Sequence, residues 1–221
     1  MPMTTTGRVI GRLHVITDES LQDRFSHVEL ARLAARGGAD TVQLREKRPR
    51  TTQELIRTAR AMADALAGLS ARVVVDDRVD VALAAGVPAV HLGPDDLDVA
   101  LARRLLGPDA LIGGTANSLE AALRVAATPV DYLGVGPVFG TRSKASPAPT
   151  LGLEGLRRIV EAVDKPVIAI GAISGERVRD VLEAGAYGVA VISAVVCRPD
   201  PMAAAAEFRR AIDEYLAPGV S

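Results

Sequence analysis

The chain has 221 residues, 48% of them apolar, with 26 Lys and Arg against 27 Asp and Glu for a formal net charge of −1. That balance excludes a broad polycationic surface for nucleic acid or an anionic membrane, so any anion must be met by a local cluster of cations. With 3% aromatics, no Trp and a single cysteine, Cys197, the composition also argues against a base-stacking platform, an internal disulfide and a cysteine-based zinc site.

One free cysteine suits a reducing cytoplasm, the expected location. The N-terminal MPMTTTGR lacks the apolar run of a signal peptide, and no stretch approaches the ~18 apolar residues of a membrane span. Residues 1–7 are expected to form a flexible tail. No Pro- or Gly-rich linker divides the rest, so 1–221 reads as one domain.

From the N-terminus, short β-branched runs alternate with longer segments of helical spacing. Strands are predicted at 12–17 (RLHVIT), 40–45 (DTVQLR), 72–76 (RVVVD) and 89–92 (AVHL). Four more follow at 111–115 (LIGGT), 131–136 (DYLGVG), 167–171 (VIAIG) and 188–193 (GVAVIS). Between the second and third strands, Leu55, Ala59, Met62, Ala63 and Leu66 share one helical face. After the fourth, Leu97, Leu101 and Leu105 form a stripe. The last helix, near 201–216, carries Met202, Ala205, Phe208, Ile212 and Leu216, with Pro201 in its first turn. Gly37, Gly86 and Gly185 each close a helix before a strand. Eight such units in this length predict an α/β fold, a single (β/α)8 TIM barrel, with an open doubly wound sheet as the rival.

A parallel barrel places its active site at the C-terminal ends of its strands. Side chains alternate along a strand, so Gln43, Arg45 and Lys47 share one face of the second strand and Val42 and Leu44 the other. If the apolar pair packs on helices, the polar trio enters the barrel as an anion site; otherwise Arg45 and Lys47 are solvated loop residues. The third strand ends in Asp76 and Asp77, and the fourth runs into Asp95 and Asp96. Each pair suits a helix N-cap; side by side, they also suit Mg²⁺, which takes one or two carboxylates and completes its shell with phosphates. His91 reads as a packed core residue. The loop after the sixth strand, with Thr141, Arg142, Ser143 and Lys144, offers donors for a phosphate or is simply a polar loop. Barrels often bind phosphate after the last two strands, here near Ala172, Ile192 and Ser193. His14, His27 and His91 are scattered, with neither a zinc-type cluster nor a Ser-His-Asp set.

Taken in order, LHVITD, QLREK, DDRVDVAL, HLGPDDL, LIGGT, GVGPVFGTRSK, AIGAI and GVAVISA closely resemble the thiamin-phosphate synthase family over about 190 residues. The family condenses hydroxymethylpyrimidine pyrophosphate with a thiazole phosphate and releases pyrophosphate. The resemblance implies a Mg²⁺-dependent transferase with small-molecule substrates and no nucleic-acid or membrane partner; it leaves a homo-oligomer open. It implies pyrimidine pyrophosphate binding by Gln43, Leu44, Arg45, Glu46, Lys47, Asp76, Thr115 and Lys144, with Arg45, Lys47 and Lys144 catalytic. Asp77 and Asp96 would take the metal, and Thr141, Arg142, Ser143, Ala172, Ile192 and Ser193 the thiazole phosphate. Asp76, Pro94 and Thr115 stand where the family has Asn, Gln and Ser, and Ala172 replaces the second Gly of a Gly-Gly pair. Two alternatives stay open: a related thiazole tautomerase, whose relatives place a His where Asn117 stands, and a non-catalytic phosphate-binding barrel.

Overall fold

The computed structural model describes residues 9–140 and 149–217. Thr141, Arg142, Ser143 and Lys144 therefore lie outside the described residues. The chain runs β1 (Leu13–Thr17), α1 (His27–Arg36), β2 (Thr41–Leu44), α2 (Thr52–Ala65), β3 (Arg72–Asp76), α3 (Val79–Ala85), β4 (Ala89–Leu92) and α4 (Val99–Leu106). It continues through β5 (Leu111–Ala116), α5 (Leu119–Ala126), β6 (Tyr132–Val135), α6 (Gly152–Ala162), β7 (Val167–Ile170), α7 (Val178–Glu183), β8 (Gly188–Val191), α8 (Ser193–Val196) and α9 (Pro201–Leu216). The strands pair in sequence order, all parallel, and β8 closes on β1 through Val191 opposite Val15. This is a single (β/α)8 barrel, as expected.

Local sequence explains where the first helices begin. Ser26 and Glu29 form a reciprocal capping box on α1, and Thr51 and Glu54 form another on α2. Gly86 ends α3 in the left-handed conformation, at φ 74°.

Strand alternation sorts the core into two compartments. Val15, Val42, Leu44, Val73, Val75, Leu133 and Val189 face the helices. Ile16, Val74, Ala89, Leu111, Tyr132, Ile168 and Ala190 fill the barrel interior. Tyr132 needs glycine opposite it, because a Cβ on Gly113 would come 2.2 Å from the tyrosine Cζ. His14 meets the same ring edge-on at a centroid distance of 5.3 Å.

Several details differ from the sequence reading, among them the ends of the α9 stripe, where Met202 and Leu216 are exposed. Leu97, Leu101 and Leu105 lie on the outside, at 37%, 43% and 55% exposure, because α4 docks through Ala102 with Val99 and Leu106 beside it. The small alanine lets the helix backbone approach the sheet. The eighth strand also stops at Val191, and Ser193 begins α8. Among the described residues no helix is long and apolar enough to cross a membrane.

Burial pushes the His14 imidazole down to about 4, against the opposing effects of the Gly11 carbonyl and Asp40. A histidine buried neutral contributes stability that is complete above 6.5 and is lost as pH falls toward 4. The near-isosteric His14→Leu variant is therefore expected to lose less stability over that interval than wild type, by up to about 3 kcal/mol. Thermal unfolding at pH 7 and pH 4 measures the difference, and parallel curves would refute it.

Candidate active site

The site begins where β2 runs out. Gln43 points inward, and the alternation persists past the strand end, so Arg45 and Lys47 point inward as well. The Gln43 amide donates to Asp76 Oδ1 at 2.5 Å. Arg45 Nη1 is paired with the fully buried Asp18, and its Nε lies 4.0 Å from Asp76 Oδ2. Lys47 Nζ lies 3.4 Å from Asp76 Oδ2 and 2.5 Å from Asp77 Oδ2. A fourth carboxylate, that of Asp96, accepts from the Gly93 N–H at 2.6 Å and adjoins Asp77.

Among the described residues, four carboxylates thus face two side-chain cations at the ends of β1 to β4. The imbalance shows in their acidities. Burial, then the charge of Asp77, raises the Asp76 carboxyl to about 6 despite Lys47 and Arg45. Burial and Asp77 also raise Asp96, against the Gly93 N–H. Asp77 sits at φ 61°, in the left-handed region, and its N–H is held by the His91 carbonyl at 2.9 Å. That conformation is uncommon for a residue other than glycine and turns its carboxylate toward Asp96 and Lys47.

Below this cluster, His91 is more than inert packing. Its Nε2 lies 2.9 Å from the Thr115 hydroxyl and its Nδ1 3.2 Å from the Tyr132 hydroxyl. Thr115 is thereby oriented at the end of β5.

The opposite rim is built from the ends of β6 to β8. Val138 and Phe139 donate to the Ile170 and Gly171 carbonyls at 2.9 and 3.1 Å. Leu151 and Gly152 return to the Pro137 and Val138 carbonyls at 2.9 and 3.0 Å, so the two ends of the 139–150 loop meet. Ala172 has φ 47°, in the region its missing glycine would favour. Arg177 stacks over Phe139 at 4.4 Å and donates to the Ala172 carbonyl at 3.2 Å. Ala172 and Ser193 are exposed at this rim and Ile192 is half-buried.

The structure therefore brings Gln43, Arg45, Lys47, Asp76, Asp77 and Asp96 together, with Thr115 close by on the His91 chain. It turns two expected residues elsewhere. Leu44 lies in the shell between strands and helices. The Glu46 side chain, 4% exposed, is paired with Arg48 and Arg50 behind the strand. Both follow from strand parity, since residues between inward Gln43, Arg45 and Lys47 must face outward.

Asp18 was missed by the sequence reading, although the signal was there: it follows inward-facing Ile16 by two residues at the end of β1. The histidines are also not all isolated. Among the described residues, Glu19, His27 and Glu46 place ligand atoms within 4.8 Å of one another. Arg48 is ion-paired to both carboxylates, so a guanidinium already supplies the positive charge there.

A closed (β/α)8 barrel with cations and clustered carboxylates at the C-terminal ends of its strands has the architecture of a barrel enzyme. Residues 13–195 match the family described as thiamine monophosphate synthase. The chain is 50% identical over 207 residues to the thiamine-phosphate synthase of Salinibacter ruber, covering 94% of this chain and 91% of that protein. It is 46% identical over 207 residues to the enzyme of the same name from Methanoculleus marisnigri, covering 94% and 98%. The solved thiamine phosphate pyrophosphorylase of Pyrococcus furiosus superposes with a TM-score of 0.84 at 41% identity, over 93% of this chain and 97% of that one. The chain belongs to the thiamine monophosphate synthase family and is a transferase.

The strain at Ala172 makes a local prediction. Ala172→Gly is expected to raise stability by up to about 1 kcal/mol, since glycine reaches φ 47° without a Cβ clash. Denaturant unfolding tests this, and a loss of stability would show that the backbone there is not held left-handed.

Proposed function

We propose that the mouth of this barrel joins 4-amino-2-methyl-5-hydroxymethylpyrimidine pyrophosphate to a thiazole phosphate, yielding thiamin phosphate and pyrophosphate. The observation that carries this reading is the convergence of Arg45 and Lys47 with Asp76, Asp77 and Asp96.

The donor chemistry suits a divalent cation. Asp77 and Asp96 adjoin, and both Asp76 and Asp96 are harder to ionise than ordinary carboxyls because they are buried and stand beside the charge of Asp77. A polyanion added to a cluster of four acids and two bases would be repelled unless positive charge came with it. Asp77 and Asp96 would hold Mg²⁺, which needs only one or two protein carboxylates beside phosphate oxygens and water. Bound there, it would neutralise the pyrophosphate and stabilise it as a leaving group.

The chain's own residues do the rest. Arg45 and Lys47 exchange carboxylate partners for pyrophosphate oxygens, and Lys144 adds a third cation. Gln43 and the His91-oriented hydroxyl of Thr115 position the pyrimidine ring. The backbone at Ala172, Ile192 and Ser193 receives the thiazole phosphate, together with Thr141, Arg142 and Ser143.

The exocyclic carbon–oxygen bond breaks, its electron pair leaves with pyrophosphate, and the positive charge spreads into the aminopyrimidine. The thiazole nitrogen then gives its lone pair to that carbon, forming the carbon–nitrogen bond. The nitrogen carries no proton, so no general base is required. The barrier is charge separation, which preorganised cations lower most effectively, and holding the partners together supplies further acceleration. Nothing in the described mouth favours the tautomerase or the non-catalytic alternative; Asn117, just past β5, offers no ionisable group for a proton shuttle.

Incubating both substrates with purified protein and Mg²⁺ should yield thiamin phosphate and pyrophosphate in equal amounts. Chelating the divalent cation should abolish turnover. Asp96→Ala and Lys144→Ala should each lower kcat by about 10²–10³ without unfolding the protein. Near-wild-type rates in both variants at saturating Mg²⁺ would overturn this assignment.

A further inference from the structure

The QLREK stretch contains an acid between its two catalytic cations, and its geometry is unlike theirs. Glu46 points away from the mouth into a nearly closed ionic knot. Its carboxylate accepts from Arg48 Nη2 at 2.6 Å, from Arg48 Nε at 3.0 Å and from the Arg48 backbone N–H at 2.9 Å. His27 Nε2 stands 3.4 Å away. Arg48 also pairs with Glu19 in the β1–α1 loop, and Glu19 accepts the His27 N–H at 2.7 Å. The knot therefore joins the loops after β1 and β2 to the first residue of α1.

A second thread reaches the same strand end. The Thr17 hydroxyl donates its only proton to the Gln43 carbonyl at 2.9 Å. His27 Nδ1, 2.7 Å from that hydroxyl, must then be the donor between them. The knot thus grips β2 at Gln43 and again at Glu46, on either side of Arg45. The hydrogen bonds and charge of Arg48 outweigh burial and hold the Glu46 carboxyl near 2, so it is ionised throughout the neutral range.

The position calls for such a tether. Beyond Leu44 one further ladder bond follows, from the Arg45 N–H to the Thr17 carbonyl at 3.3 Å, so the alternation that sends Glu46 outward and Lys47 inward continues with little help from the sheet. A cavity of about 240 Å³, bordered by Glu19, His27, Glu46 and Arg50, lies beside the carboxylate and gives it room to swing. A half-turn of the backbone at Glu46 would carry Arg45 and Lys47 off the mouth.

We infer that Glu46, clamped by Arg48, which Glu19 anchors from the other side, is a positioning residue that holds Arg45 and Lys47 toward the pyrophosphate without touching substrate itself. The inference rests on the reading of the mouth as a pyrophosphate site.

The test compares wild type with Glu46→Ala, Glu46→Gln and Arg48→Ala. Inorganic pyrophosphate with MgCl2 is titrated calorimetrically, and steady-state kinetics are measured with each substrate varied. Glu46→Ala and Arg48→Ala are expected to weaken pyrophosphate binding and raise KM for the pyrimidine substrate about tenfold or more. KM for the thiazole phosphate should stay within about twofold. Glu46→Gln, which keeps an acceptor for the Arg48 N–H, should recover part of the loss. If Glu46→Ala fails to fold, Arg48→Ala, altered on the outer side of the knot, decides the matter alone. Wild-type protein that binds no pyrophosphate overturns the reading of the mouth, and the inference with it. Wild type that binds pyrophosphate while the variants bind equally well, or variants that raise both KM values alike, overturn the inference only.

Discussion

Closure of a parallel sheet constrains everything else in this molecule. Once β8 pairs with β1, every strand has one face toward a crowded interior and one toward the helices, and a shift by a single residue would exchange the two. Val42 and Leu44 are anchored in the outer shell, so Gln43 must face inward. Arg45 and Lys47 inherit that direction. The same parity delivers Asp76 from β3 beside them, two residues beyond inward-facing Val74.

The interior is filled asymmetrically, and this shapes the floor of the site. Tyr132 and His91 occupy space left by Gly113 and Gly134, where added Cβ atoms would lie 2.2 Å from Tyr132 and 2.7 Å from His91, and His14 packs on the Tyr132 ring. Rings with polar edges let the floor be both packed and hydrogen-bonded, and Thr115 takes its orientation from it. On the far rim, backbone hydrogen bonds tie the segment after β6 to the one after β7, so the two sides of the mouth are supported by different strands.

Strand ends, helix faces and the paired acids were legible because each depends on local spacing. Helix α4 was legible as a helix but not in its orientation: leucines at 97, 101 and 105 outweigh Ala102 in a hydrophobic count, yet close approach to the sheet favours the smaller side chain. Glu46 illustrates the opposite error. Parity alone turns it outward, while its place in a charged motif suggested the mouth. Asp18 escaped notice because an acid at a strand end gains meaning only once its neighbour across the barrel, Arg45, is known.

By itself, the order of residues determined the alternation of strands and helices, the eightfold count and the identity of the cations and acids at the strand ends. These are properties of period, capping and residue type, which act over a few positions. Only the tertiary structure decided which acid neutralises which cation, that Ala172 is forced to φ 47°, and that Glu46 is bound from behind by Arg48, itself anchored on Glu19. Such pairings depend on distances between loops that follow different strands, and closing the barrel is what sets those distances.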